Sequence, residues 1–76
     1  MNKQRRKELN EIINKLSELR DDLASLTNEE EECYDNMPEN LQYSEKGEII
    51  EAAVESLNDA LDSIDNAIDS INEAIE

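Results

Sequence analysis

The groups in this sequence that could do chemistry are 21 carboxylates, one thiol (Cys33) and a cluster of cations at the start of the chain, Lys3, Arg5, Arg6 and Lys7. There is no histidine, so the usual general base and the commonest zinc ligand are both missing. Cys33 stands beside the acidic run Glu29–Glu32 and close to Asp35. It has no base or cation next to it, and so lacks what activates a nucleophilic thiol. The acidic runs do not carry the central glycine of a calcium-binding loop, and no glycine-rich phosphate loop occurs. Carboxylates strung along solvated helix faces have no pocket in which to become an acid or a base. The chemistry-bearing residues therefore describe a non-catalytic chain, with no cofactor and no metal site.

What remains is binding, and two features compete for it. The first is the basic cluster. Four cations at a helix N-terminus oppose the helix dipole, so local helix stability does not explain them. They either neutralise the acidic end of a neighbouring helix (Asp69, Glu73, Glu76) or hold an anion. For the anion, Arg5 and Arg6 offer guanidinium forks. The segment around "NMPENLQYS" offers Asn36, Asn40, Gln42, Tyr43 and Ser44 as hydrogen-bonding groups, with Met37, Leu41 and Tyr43 able to flank a ring. Together they would suit a nucleotide-sized anion. The second feature is the acidic column Glu48, Glu55, Asp62, Asp69 and Glu76, with Asp59 and Glu73 beside it. It is either an imitation of a phosphate backbone or the solvated outer face of a helix.

The elements that must position these groups follow from the apolar spacing. Leu9, Ile12, Leu16, Leu19, Leu23 and Leu26 step by three and four alternately, a heptad seam with Leu9 at a and Ile12 at d. Extended, that register puts Arg5 at d, Glu30 at a, Cys33 at d and Met37 at a. A second seam runs through Ile50, Val54, Leu57, Leu61, Ile64, Ile68, Ile71 and Ile75, with an alanine before each a residue at Ala53, Ala60, Ala67 and Ala74. Pro38 ends the first helix, Asn36 reads as its C-cap, and Ser44 as the N-cap of the second, with Glu45 and Glu48 in its first turn. The spacing predicts helices over about 3–35 and 45–76 joined by a turn over 36–44. Each is on the order of 50 Å long. One Gly, one Pro and no Phe or Trp leave no material for a sheet.

The fold expected is all-α: an antiparallel hairpin of coiled-coil type. A 76-residue chain is one domain at most and buries only about 60% of its unfolded surface. The three-in-seven apolar face of the second helix is wider than one partner helix needs. Two hairpins forming a homodimeric four-helix bundle would cover it, with Leu9, Ile12, Leu16, Leu19, Leu23, Leu26, Leu57, Leu61, Ile64, Ile68 and Ile71 as core. Antiparallel pairing of two first helices, Leu16 against Leu19, also sets Arg5 against Glu30. Residues 1–20 carry +3 and residues 21–76 carry −17. Such a surface does not bind nucleic acid by phosphate neutralisation. No apolar run reaches the roughly 18 residues of a membrane span, and a lone cysteine fits a reducing cytoplasm.

The basic start "NKQRRKEL", the turn "NMPENLQYSEKGE" and the repeated "LNDALDSIDNAIDSINEAIE" resemble small acidic proteins encoded by phages and prophages of Gram-positive bacteria. The turn is the most specific part of the likeness. The resemblance implies a setting, the cytoplasm of an infected host, where short accessory proteins counter host defences. It assigns no residue a role. Two functions are then expected in order: sequestration of a small nucleotide-derived immune signal at composite pockets of the dimer, or inhibition of a host defence protein by nucleic-acid mimicry. A structural coiled-coil adaptor is the third.

Overall fold

The computed structural model describes residues 1–76 and consists of α1 (Lys3–Asp35), α2 (Glu39–Gln42) and α3 (Glu45–Ile75). The long helices pack side by side as a hairpin measuring 58 × 15 × 13 Å. Asn2 caps α1, its side chain accepting from the Arg5 N–H at 2.7 Å. At the other end Asn36 is the C-cap, its N–H donating to the Glu32 carbonyl at 2.9 Å. Its φ of −84° and ψ of −6° keep it right-handed, so the helix stops at Pro38 without a left-handed residue.

The link contains more order than a plain turn over 36–44. Pro38 has no N–H to lose and opens a single helical turn, its carbonyl accepting from Leu41 at 2.8 Å and Gln42 at 3.1 Å. Ser44 then caps α3, its hydroxyl accepting from the Gly47 N–H at 3.4 Å while donating to the Leu41 carbonyl. Gly47 is buried where α3 passes under this turn, and a Cβ there would run into the carbonyl oxygens of Gln42 and Leu41. Glycine is needed for the closeness of two backbones, since no residue has positive φ.

The seam by which α1 meets α3 differs from the one read in sequence. The partly or fully covered residues of α1 run Leu9, Ile13, Leu16, Arg20, Leu23, Thr27, Glu30 and Tyr34, with Ser17 and Ala24 partly covered beside them and Met37 just beyond the helix. They step by four and three, so the a column is kept and its companion is the column one residue after the expected d. Ile12, Leu19, Leu26 and Cys33 stand exposed instead, Leu19 at 61% and Leu26 at 59%. The physical reason is α3. Its own seam is as expected (Ile50, Val54, Leu57, Leu61, Ile64, Ile68, Ile71, Ile75), and two polar contacts join α1 to it in this rotation. Arg20 forks onto Asp65, with Nε–Oδ1 at 3.0 Å and Nη2–Oδ2 at 3.3 Å. The Tyr34 hydroxyl donates to Glu51 Oε2 at 3.2 Å. Leu16 and Leu23 therefore face α3 within the hairpin.

Inside, the hairpin is thin. Leu61 is its one buried hydrophobic side chain, and Thr27, 1% exposed, lies in the seam with its hydroxyl donating to the Leu23 carbonyl at 2.8 Å.

Candidate functional site

The residues expected to form an anion site fall at opposite ends of the molecule. Arg5 and Arg6 lie in the first turn of α1, which has no acidic residue. The 36–44 segment closes the far end of a 58 Å rod. One chain does not bring them together. None of Lys3, Arg5, Arg6 or Lys7 comes within ion-pair distance of Asp69, Glu73 or Glu76, because Arg20 is the only cation paired, to Asp65 at 3.0 Å and marginally to Asp21 at 4.0 Å. The basic cluster is thus not occupied with neutralising the end of α3 by direct contact.

At the turn, three of the seven expected residues are already taken up by the fold. The Gln42 side chain donates through Nε2 to the Tyr34 carbonyl at 3.0 Å, Ser44 caps α3, and Met37 is half-buried. Asn36 and Asn40 are exposed, as are Tyr43 at 76% and Leu41 at 44%. These four offer an aromatic ring, an aliphatic side chain and two amides to a partner. They enclose nothing, and the hairpin has no cavity.

Electrostatics separate the two flanks of the hairpin. Asp65 and Glu51 follow seam residues of α3, and the flank they mark is polar: Arg20 is held more firmly as a cation by its hydrogen bond to and charge attraction from Asp65. The Tyr34 phenol is pushed up by partial burial first and by the Glu51 carboxylate second. Reversing one helix of a pair swaps its two sides, so in an antiparallel hairpin the residues just before the seam positions Ile13, Arg20, Thr27 and Tyr34 share a flank with those just before Val54, Leu61, Ile68 and Ile75. On that flank stand Ile12, Leu19, Leu26 and Cys33 from α1, and Ala53, Ala60, Ala67 and Ala74 from α3. The next column outward on α3 is Ile49, Ser56, Ser63 and Ser70. Every acid of α3 (Glu45, Glu48, Glu51, Glu55, Asp59, Asp62, Asp65, Asp69, Glu73) lies outside these two columns.

Sequence reading found the alanine column and the acidic column but missed the polar pairs and the role of Gly47. Two signals were available. Arg20 and Thr27 sit seven apart in the true seam, and the chain's one glycine falls a helical turn before Ile50. No group of His, Cys, Asp or Glu side chains is placed to hold a metal ion, and no helix is long and apolar enough to cross a membrane. Compared with protein-family models, curated proteins and solved structures, the chain matches none.

Proposed function

We propose that this chain is a non-catalytic binding protein, a dimer of hairpins in a four-helix bundle, whose carboxylate face occupies the basic surface of a host defence protein in place of nucleic acid. The observation that carries this reading is the state of the acids. Of 21 carboxylates only Asp65 and Asp21 meet a cation within 4.0 Å, and the column Glu48, Glu55, Asp62, Asp69 and Glu76 runs exposed along one side of α3. A rod with so much unneutralised like charge repels itself, and a basic partner would relieve that repulsion. The setting comes from the phage resemblance, and the mechanism is occupation rather than reaction.

A second reading is favoured by the unpaired basic cluster. In it Arg5 and Arg6 of one copy, with Asn36, Asn40 and Tyr43 of the other, hold a small nucleotide-derived anion. One assay of defence inhibition separates the two. Exchanging Asp62, Asp69 and Glu76 for Asn, Asn and Gln should abolish inhibition with helicity intact, while Arg5→Ala with Arg6→Ala leaves it in place. Loss with the arginine pair and full activity with the acid triple would replace the first reading by the second.

A further inference from the structure

We infer that the flank built from Ile12, Leu19, Leu26 and Cys33 with Ala53, Ala60, Ala67 and Ala74 is where a second copy of the chain docks, turned end for end so that the two turns lie at opposite ends of the dimer. This docking rests on the dimer proposed above and is independent of what the dimer binds.

The layers come from the register. Arg20 lies opposite Asp65 and Tyr34 opposite Glu51, so one residue back on α1 is one forward on α3. On the alanine column, Ala67 then falls within one residue of the level of Leu19, Ala60 of Leu26, Ala74 of Ile12 and Ala53 of Cys33. Each level carries one bulkier and one small side chain. A two-fold axis midway between Leu19 and Leu26 sets Leu19 and Ala67 against Leu26 and Ala60 of the second copy. It also sets Ile12 and Ala74 against Cys33 and Ala53 of the second copy. The two inner layers each close with two leucines and two alanines, the two outer ones with an isoleucine, a cysteine and two alanines, and the two Ser63 residues lie near the axis. On α3 the columns brought together hold no acid, so the interface buries none of that helix's charge.

Area calls for such a partner. The hairpin exposes 5754 Å², whereas a compact monomer of 8.7 kDa exposes about 4,700 Å². The excess, about 1,000 Å², is of the size one partner contributes to a stable interface, about 800 Å².

Charge chooses the orientation. The end holding both termini (residues 1–20 and 61–76) has six cations against eight acids, net −2. The turn end (residues 21–60) has Lys46 against thirteen acids, net −12. Docking with both turns at one end would superpose the two −12 halves. Turned end for end, each lies against a −2 half that carries the whole basic cluster, and the attraction is strongest between nearby, partly shielded charges. Arg5 of each copy then falls beside the turn of the other, next to Asn40.

Cysteine crosslinking tests this arrangement in the full-length chain. Ile12→Cys adds a thiol that meets the native Cys33 of the second copy. Within one chain the two sulfurs are held about 30 Å apart by helical rise, so any bond between them joins two chains. Mild oxidation should convert folded Ile12→Cys protein, its helicity checked by circular dichroism, to a disulfide-linked dimer. Its peptide map should show the introduced thiol joined to Cys33. Wild type and the Ile12→Cys/Cys33→Ser variant should stay uncrosslinked. Rapid Cys33–Cys33 linkage in wild type would place the turns together and overturn the orientation. A wild-type chain that sediments as a monomer at tens of micromolar would overturn the dimer itself. Neither result bears on which partner the acidic face meets.

Discussion

Gly47 carries more of this fold than its size suggests. In an ordinary helix, replacing glycine by alanine gains about 0.8–1 kcal/mol of helix propensity. Here the added Cβ meets the carbonyl oxygens of Leu41 and Gln42, which belong to the one-turn helix that Pro38 starts and cannot yield without breaking its hydrogen bonds. Overpacking of this kind costs about 1–3 kcal/mol, so the clash outweighs the propensity. Gly47→Ala should lower the thermal midpoint and the urea midpoint of unfolding, and an unchanged or higher midpoint would mean that the turn does not press on α3. The cap next to it works in the same direction. Ser44 ties the turn to α3 through one hydroxyl that both donates to Leu41 and accepts from Gly47. The turn is held by close backbone approach and a shared hydroxyl, in place of an apolar plug.

At the scale of elements, neighbouring isoleucines give opposite predictions. Ile13 faces α3 and Ile12 is 46% exposed on the free flank. Ile13→Ala should destabilise the hairpin by up to about 2 kcal/mol, the lower end for a fully buried aliphatic truncation, because Ile13 is partly covered. Ile12→Ala should leave the dilute hairpin within about 0.5 kcal/mol, as exposed positions do, and instead weaken self-association. Helicity followed against concentration distinguishes them, and equal losses from both would mean that the two residues share one core. The element boundaries were legible in the sequence because Pro38, Asn36 and Ser44 are local signals that need no tertiary knowledge. The α3 seam was legible for the same reason: its apolar residues fit one register alone. The seam of α1 was not. Its sequence supports two adjacent registers, one through Ile12, Leu19 and Leu26 and one through Ile13, Arg20 and Thr27. The richer of the two is turned outward, and the rotation adopted sets Arg20 and Tyr34 beside carboxylates on α3's Glu51–Asp65 side. Hydrophobic periodicity ranks apolar residues and is blind to a polar fork that fixes rotation. Arg5 and Tyr43 could meet only between two chains, as the composite pocket expected, because a rod 58 Å long keeps them apart in any single chain.

For the whole molecule, a two-helix rod with one buried hydrophobic side chain has a thin interior, which the proposed dimer would enlarge. Its surface divides into an acidic side, a polar flank with the Arg20–Asp65 and Tyr34–Glu51 contacts, and a flank free of α3's acids made of leucines and alanines. Closing that last flank with a second, inverted copy would leave α3's carboxylate columns outside the interface and bring each basic N-terminus to a turn. Both proposed binding modes depend on this assembly, and its shape is distinctive. Inverted copies overlap along nearly their full length, so the particle doubles in mass without growing longer. Solution X-ray scattering at micromolar to millimolar concentration reads mass and length together. The expected particle has twice the 8.7 kDa chain mass and a long dimension close to the 58 Å of one hairpin. Scattering from a single chain mass with a radius of gyration of 17.3 Å would contradict it, and so would a doubled mass on a rod of nearly twice the length.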